Sequence, residues 1–413
     1  MYLSVPCRFL PRGLLLRGLV GAAITTGMLA HAALPALAQR TQRAHSVSPQ
    51  SGEVLVKAAQ AILMDAETGG VLYQRSADEL MYPANMTKLM TLAVVFKALK
   101  AGEIKLNDQF FMSEFAWRRG GAPSGHAAMF VPVGTKATLD DLLKGIAVQS
   151  GNDAAISIAE NMGGNEGQFA KRMTEEARQI GLKKSVFMNA TGFHHPAQQM
   201  TAREIALLAR HIIRTYPEFY QLFALKEFFY RTHKFYNRNP LLTLVAGADG
   251  LTMGFTKEAG YGIVASAKQD NRRLIVVVNG ASTADERRDD ARRLLEWGLR
   301  NFQEMKLYEA GEVVSHARVW GGERYFVPLA GEGDINVWLP RFPANQKLRA
   351  SVVYSWPLKA PVSKGDQVAT LRVTTATEAT SEVPLYAAQD VRSGGMMRRG
   401  LDTILYLATR WIP

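Results

Sequence analysis

Cysteine is almost missing: the 413 residues contain one, Cys7. A disulfide framework is thereby excluded. Gly (35) and Pro (17) are unremarkable in number, 47% of residues are apolar and 21% are charged, so collagen-like and disordered classes fall away as well. No internal repeat or low-complexity tract stands out. Acid is absent from the first 38 residues, which instead carry Arg8, Arg12 and Arg17, then an apolar run over residues 18–34, then Pro35-Ala36-Leu37-Ala38. That is the pattern of a secretory signal peptide with an Ala-x-Ala cleavage site. As a membrane span the run is short and broken by Thr25, Thr26, Gly27 and His31. Cleavage after Ala38 leaves 375 residues with a net charge of +9 and removes Cys7, so a cysteine nucleophile or thiolate metal site is excluded from the mature chain. The full chain carries +12, a balance that suits nucleic acid, an anionic membrane or an acidic polymer. Export points away from nucleic acid.

Residues 39–52 are polar and aperiodic and read as a linker. Beyond them a hairpin is expected from residues 59–65 and 71–74 around Glu67-Thr68-Gly69-Gly70, followed by helices over 86–100, 139–148, 154–162, 167–180 and 202–215. A long polar stretch through Asn239 precedes two strands, 262–267 and 274–279, and a helix over 285–304. This order predicts an α+β or α/β domain spanning residues 53–310. From 311 to 392 the chain is rich in Val and Thr with short alternating runs, such as 347–354 and 367–374, and reads as a small all-β domain. Past Gly394-Gly395, a helical wheel gathers Met397, Leu401, Ile404, Leu405, Leu407, Ala408, Trp411 and Ile412 on one side, with Arg398, Arg399, Asp402 and Arg410 opposite. Residues 393–413 are thus expected to form an amphipathic helix, and 395–413 to lie on the inner-membrane surface.

Three segments carry the chemistry: PANMTKLMT from Pro83, VQSGNDA from Val148 and DGLTMGFTKEAGY from Asp249, supported by NATGFHHPAQQMTAREIALLAR from Asn189 and YNRNPLL from Tyr236. Together they resemble the D-alanyl-D-alanine carboxypeptidases among the low-molecular-mass penicillin-binding proteins, serine peptidases related to β-lactamases. The resemblance implies a β-lactamase/DD-peptidase-like domain, and it extends more loosely to a β domain and an amphipathic tail. It also implies a covalent acyl-enzyme formed from a peptidoglycan stem pentapeptide, through Ser-x-x-Lys at the start of a helix, Ser-x-Asn on a loop and Lys-Thr-Gly on an edge strand. The first spacing has a chemical basis. A serine hydroxyl needs a base to attack an amide, and positions i and i+3 share a helix face.

The chain departs from this pattern where the chemistry is concentrated. Asn85 holds the nucleophile position, and a carboxamide offers no ionisable hydroxyl. Thr252-Met253-Gly254 stands in place of Lys-Thr-Gly, so the cation for the substrate carboxylate and its neighbouring hydroxyl are both replaced. Lys88, Ser150, Asn152 and Gly254 remain, with the backbone N–H groups of Asn85 and Phe255 at the positions that the family uses as an oxyanion hole. The expected catalytic set is therefore Asn85, Lys88, Ser150 and Asn152, and the expected substrate-binding set is Thr252, Met253, Gly254 and Phe255. Lys257 belongs to the family's ordinary continuation and is not counted as a replacement cation. No cofactor or metal is expected: the adjacent His194 and His195 diverge and no carboxylate cluster accompanies them. The leading expectation is an exported, membrane-associated, non-catalytic homologue that binds stem peptides or another cell-wall partner. The alternatives are a still-active carboxypeptidase using Thr87, Ser150 or an activated water, and a β-lactamase, against which the β domain and tail argue.

Overall fold

The computed structural model describes residues 2–6, 54–341, 348–375, 380–396, 400 and 402. The expected leader (apart from residues 2–6), the linker and residues 397–399, 401 and 403–413 of the tail lie outside them. Tyr2–Pro6 forms an edge strand antiparallel to Arg349–Ser355.

The first unit is built on an antiparallel sheet in the order Val71–Arg75, Gln60–Asp65, Arg272–Ala281, Gly260–Gln269, Ala248–Thr256. Its middle strand carries Leu274, Ile275, Val276, Val277 and Val278 in succession, all buried, because both faces of the sheet are covered. One face packs against Lys88–Lys100, Leu139–Gln149, Asn152–Gly163, Glu166–Gln179 and Ala202–Thr215 in the larger core. The other packs against Ala284–Asn301, where Leu294 and Leu295 meet Leu63, Leu274 and Val276. The helix starts are set locally. Thr138, Thr201 and Thr283 each accept the N–H of the residue three positions on; the Glu204 carboxylate three residues after Thr201 is turned instead to the Lys184 N–H and the Ser185 hydroxyl.

The expected hairpin and helices are present to within two residues at most ends. Three differences matter. The last helix stops at Asn301, and Phe302–Tyr308 is a strand that pairs with Ile335–Pro340 of the β domain rather than a continuation of the helical period to 304. Ala248–Thr256 is a full edge strand although Gly250 and Gly254 dilute its β propensity. Within the long stretch read as polar through Asn239 lies a hairpin, Glu227–Tyr230 with His233–Tyr236, that buries Phe228, Tyr230 and Phe235 and exposes Phe229 and Tyr236.

The following all-β unit alternates buried and exposed residues around a separate core of Val327, Leu329, Val337, Val352, Leu371 and Leu385. The chain is thus a mixed α and β domain followed by an all-β domain, as expected. At the junction the Arg272 guanidinium lies 3.9 Å over the Trp338 ring. Beyond the last strand, Met396, Gly400 and Asp402 are helical, and Asp402 is buried with its carboxylate accepting the Gly321 N–H at 2.9 Å. No helix among the described residues is long and apolar enough to cross a membrane.

Candidate functional site

Asn85 sits in a short 3₁₀ turn, Ala84–Thr87, that runs directly into the helix Lys88–Lys100. Two glycines from distant segments clamp this turn. A Cβ on Gly192, whose φ is +89°, would lie 1.9 Å from the Ala84 carbonyl oxygen, and one on Gly254 would lie 2.7 Å from the Asn85 nitrogen. Only a residue without a side chain allows either approach. Asn85 is half-buried, and its Nδ2 reaches the Ser150 Oγ at 3.4 Å, a long hydrogen bond.

Lys88 follows one turn later and is 1% exposed. Its Nζ donates to the Thr191 carbonyl at 2.6 Å. Burial, reinforced by the Arg238 charge and opposed by Glu166 and Asp153, lowers its pKa to about 7, so a large fraction of the amine is unprotonated near neutrality. Ser150 ends the helix Leu139–Gln149 in the left-handed conformation (φ +60°), which turns the chain back so that Asn152 can open the next helix. The Asn152 N–H donates to Ala127 O, while its buried Oδ1 has no partner. Asp153 beneath accepts from the Met129, Ala154 and Val131 N–H groups, and burial raises its pKa.

The fourth wall is the edge strand Ala248–Thr256. Met253, Gly254 and Phe255 face a cleft of about 780 Å³, which Asn85, Ser150 and Asn152 also line. Lys88 and Thr252 are buried, 1% and 7% exposed, and do not line the cleft. Thr87, the rival nucleophile, is fully buried with Oγ1 accepting from Gln198. Six of the eight expected site residues therefore share the cleft wall, and two are buried away from its lining.

Charge is the feature that motif reading missed. Arg119, Arg238, Lys257 and Arg287 line the cleft, and among the described residues no Asp or Glu does. Arg287 is 6% exposed, its Nε has no partner, and its guanidinium lies 5.5 Å from the centroid of the Tyr261 ring. Burial and the neighbouring Arg238 lower its pKa, and Tyr261 opposes them. A buried guanidinium with no carboxylate partner among the described residues, in a wall of like charge, is prepared for an anion. Arg238 lies inside the YNRNPLL segment, which marked its neighbourhood without marking its role; Lys257 reaches the cleft although it was not counted among the cations. His194 stacks edge-on against Tyr82 and lies 3.9 Å from Glu258, whereas the His195 Nδ1 accepts the Ala197 N–H. Among the described residues no group of three or more His, Cys, Asp or Glu could hold a metal.

The chain matches two family models: D-alanyl-D-alanine carboxypeptidase over residues 44–283, and the C-terminal domain of penicillin-binding protein 5 over residues 302–393. It is 36% identical over 401 residues to the D-alanyl-D-alanine carboxypeptidase DacC of Escherichia coli, covering 96% of this chain and 97% of that one. Against the D-alanyl-D-alanine carboxypeptidase DacA of Haemophilus influenzae the identity is 36% over 315 residues, 76% of this chain and 80% of the relative. The crystal structure of penicillin-binding protein 5 from Haemophilus influenzae superposes with a TM-score of 0.68 at 34% identity, covering 83% of this chain and 99% of that one.

Proposed function

The chain belongs to the D-alanyl-D-alanine carboxypeptidase family, and from that premise we propose that it binds peptidoglycan stem peptides in the cleft without forming an acyl-enzyme. One observation carries the reading: the residue at the head of the Lys88 helix is Asn85, with a carboxamide where acyl transfer needs a hydroxyl. Lys88 keeps an amine basic enough to accept a proton and poorly enough solvated to be partly neutral, yet no nucleophile stands at position 85 for it to serve. What the cleft retains is recognition. Arg287 and Arg238 supply cations for a terminal carboxylate in place of the strand lysine, and the unpartnered Asn152 Oδ1 supplies an acceptor for a ligand N–H. Backbone N–H groups of Asn85 and Phe255 remain as donors for a ligand carbonyl. No cofactor enters this reading.

We place the protein in the periplasm after removal of residues 1–38, attached to the inner membrane through residues 395–413. The support is the leader pattern and the amphipathic sequence of the tail. A residual hydrolytic route has one feature in its favour, the Ser150 hydroxyl on the cleft wall.

Purified protein is therefore incubated with a pentapeptide ending in D-Ala-D-Ala and, separately, with labelled penicillin. Binding of the pentapeptide in calorimetry, without release of D-alanine and without a covalent adduct, is the expected result. Release of D-alanine or acylation at any residue would overturn the proposal.

A further inference from the structure

We propose that the tip of the β domain, residues 321–326 with Trp356 and Met396 beside them, is a second membrane-contacting surface that seats on an anionic lipid headgroup layer. The inference rests on the tail-anchoring reading above and adds to it a part of the folded domain. The tip is where the chain leaves the domain: Gly394 N–H donates to Gly321 O, Glu323 N–H donates to Arg392 O, and Asp402 accepts the Gly321 N–H. A tail lying on a bilayer thus brings the turn at 321–326 to within a few residues' reach of the same surface.

The chemistry of the turn fits that environment. Tyr325 is 52% exposed, Phe326 54% and Met396 91%, an unusual grouping of large apolar side chains at one end of a small domain. Phe326 stands opposite Arg318 in the strand register, and the Arg318 guanidinium lies 5.3 Å from the centroid of the half-buried Trp356 ring. Arg324, Lys359 and Arg392 are exposed nearby against the acids Glu323 and Asp390. Aromatic rings with basic side chains around them are the composition of a membrane–water interface: rings at headgroup depth, cations toward lipid phosphates. The opposite end of the same strand, Val313, offers an exposed apolar residue without that company.

The test uses the chain as it stands after removal of residues 1–38, which contains no cysteine of its own, with a nitroxide label placed through Phe326→Cys, through Tyr325→Cys as a second position, or through Val313→Cys as the remote control. Vesicles of phosphatidylglycerol and phosphatidylethanolamine serve as the membrane. When the protein co-sediments with them, accessibility of the 326 and 325 labels to an aqueous nickel chelate is expected to fall severalfold while the 313 label is unchanged. Arg324→Gln is expected to weaken vesicle binding about fivefold at low salt. Co-sedimentation with unchanged accessibility at 325 and 326 would overturn this inference and leave the tail reading standing. Absence of co-sedimentation would overturn both. Shielding of the labels by a second copy of the chain before any lipid is added would also overturn it, because the face would then be a protein interface.

Discussion

Lys88→Met tests how the protein holds its buried amine. The folded state lowers the Lys88 pKa from 10.5 to about 7, with burial as the main cause. Between those values the unfolded chain binds a proton that the folded chain does not, so stability must rise with pH. Below pH 7 both states are protonated and the whole penalty is present, about 5 kcal/mol for a shift of this size. Raising the pH from 7 to 9 recovers about 2 kcal/mol of it by the same linkage. Methionine fills nearly the same space without a charge, and it leaves only the Thr191 carbonyl without its donor, a loss of about 1–3 kcal/mol. The variant should therefore exceed the wild type in stability at pH 6 by about 2–4 kcal/mol and lose about 2 kcal/mol of that lead as pH rises to 9, where the two become comparable. Denaturant unfolding of both proteins at pH 6, 7, 8 and 9, followed by a probe in the first domain, reads the difference directly. Taking the difference cancels other titrations, including that of the surface Lys234, whose pKa Glu227 raises. A wild-type-minus-variant difference that stays flat across this range would refute the argument, because it would mean that Lys88 is charged in both states.

The cationic wall makes a second prediction: Arg287→Gln should weaken binding of a stem pentapeptide about tenfold to a hundredfold, the range for losing a charge-assisted hydrogen bond, and should leave binding of the C-terminally amidated peptide unchanged in calorimetry. Gly254→Ala forces a Cβ to within 2.7 Å of the Asn85 nitrogen; overpacking of this kind costs about 1–3 kcal/mol, visible as a thermal midpoint lowered by several degrees. Combining Asn85→Ser with Thr252→Lys and Met253→Thr should restore acylation by labelled penicillin if the scaffold around the cleft is intact, and a silent triple variant would show that it is not.

Much of the first domain was legible because its signals are local. Thr201 and Thr283 announce their helices with a glutamate three residues on, and residues 274–278 form an apolar run that only a doubly covered strand accommodates. The motif spacing likewise brought Asn85, Ser150, Asn152 and residues 253–255 to one cleft. What escaped is non-local. Arg119, Arg238, Lys257 and Arg287 have no common period, and they belong to separate elements, so only the tertiary fold shows that their charges converge, with no acid among the described residues that line the cleft. Phe302 could not be separated from the preceding helix by periodicity, because its strand exists only through pairing with Ile335–Pro340. The exposed ring of Phe229 and the buried ring of Phe228 are neighbours in sequence, and hairpin alternation alone assigns them to opposite faces.

The central claim is recognition without acylation, and intact-protein mass spectrometry after prolonged incubation with benzylpenicillin tests it most directly, with the triple variant at positions 85, 252 and 253 run beside the wild type. An unchanged wild-type mass is expected, in a sample that still binds the pentapeptide by calorimetry. A wild-type species heavier by one penicilloyl group, mapped to Ser150 or to any other residue, would contradict it.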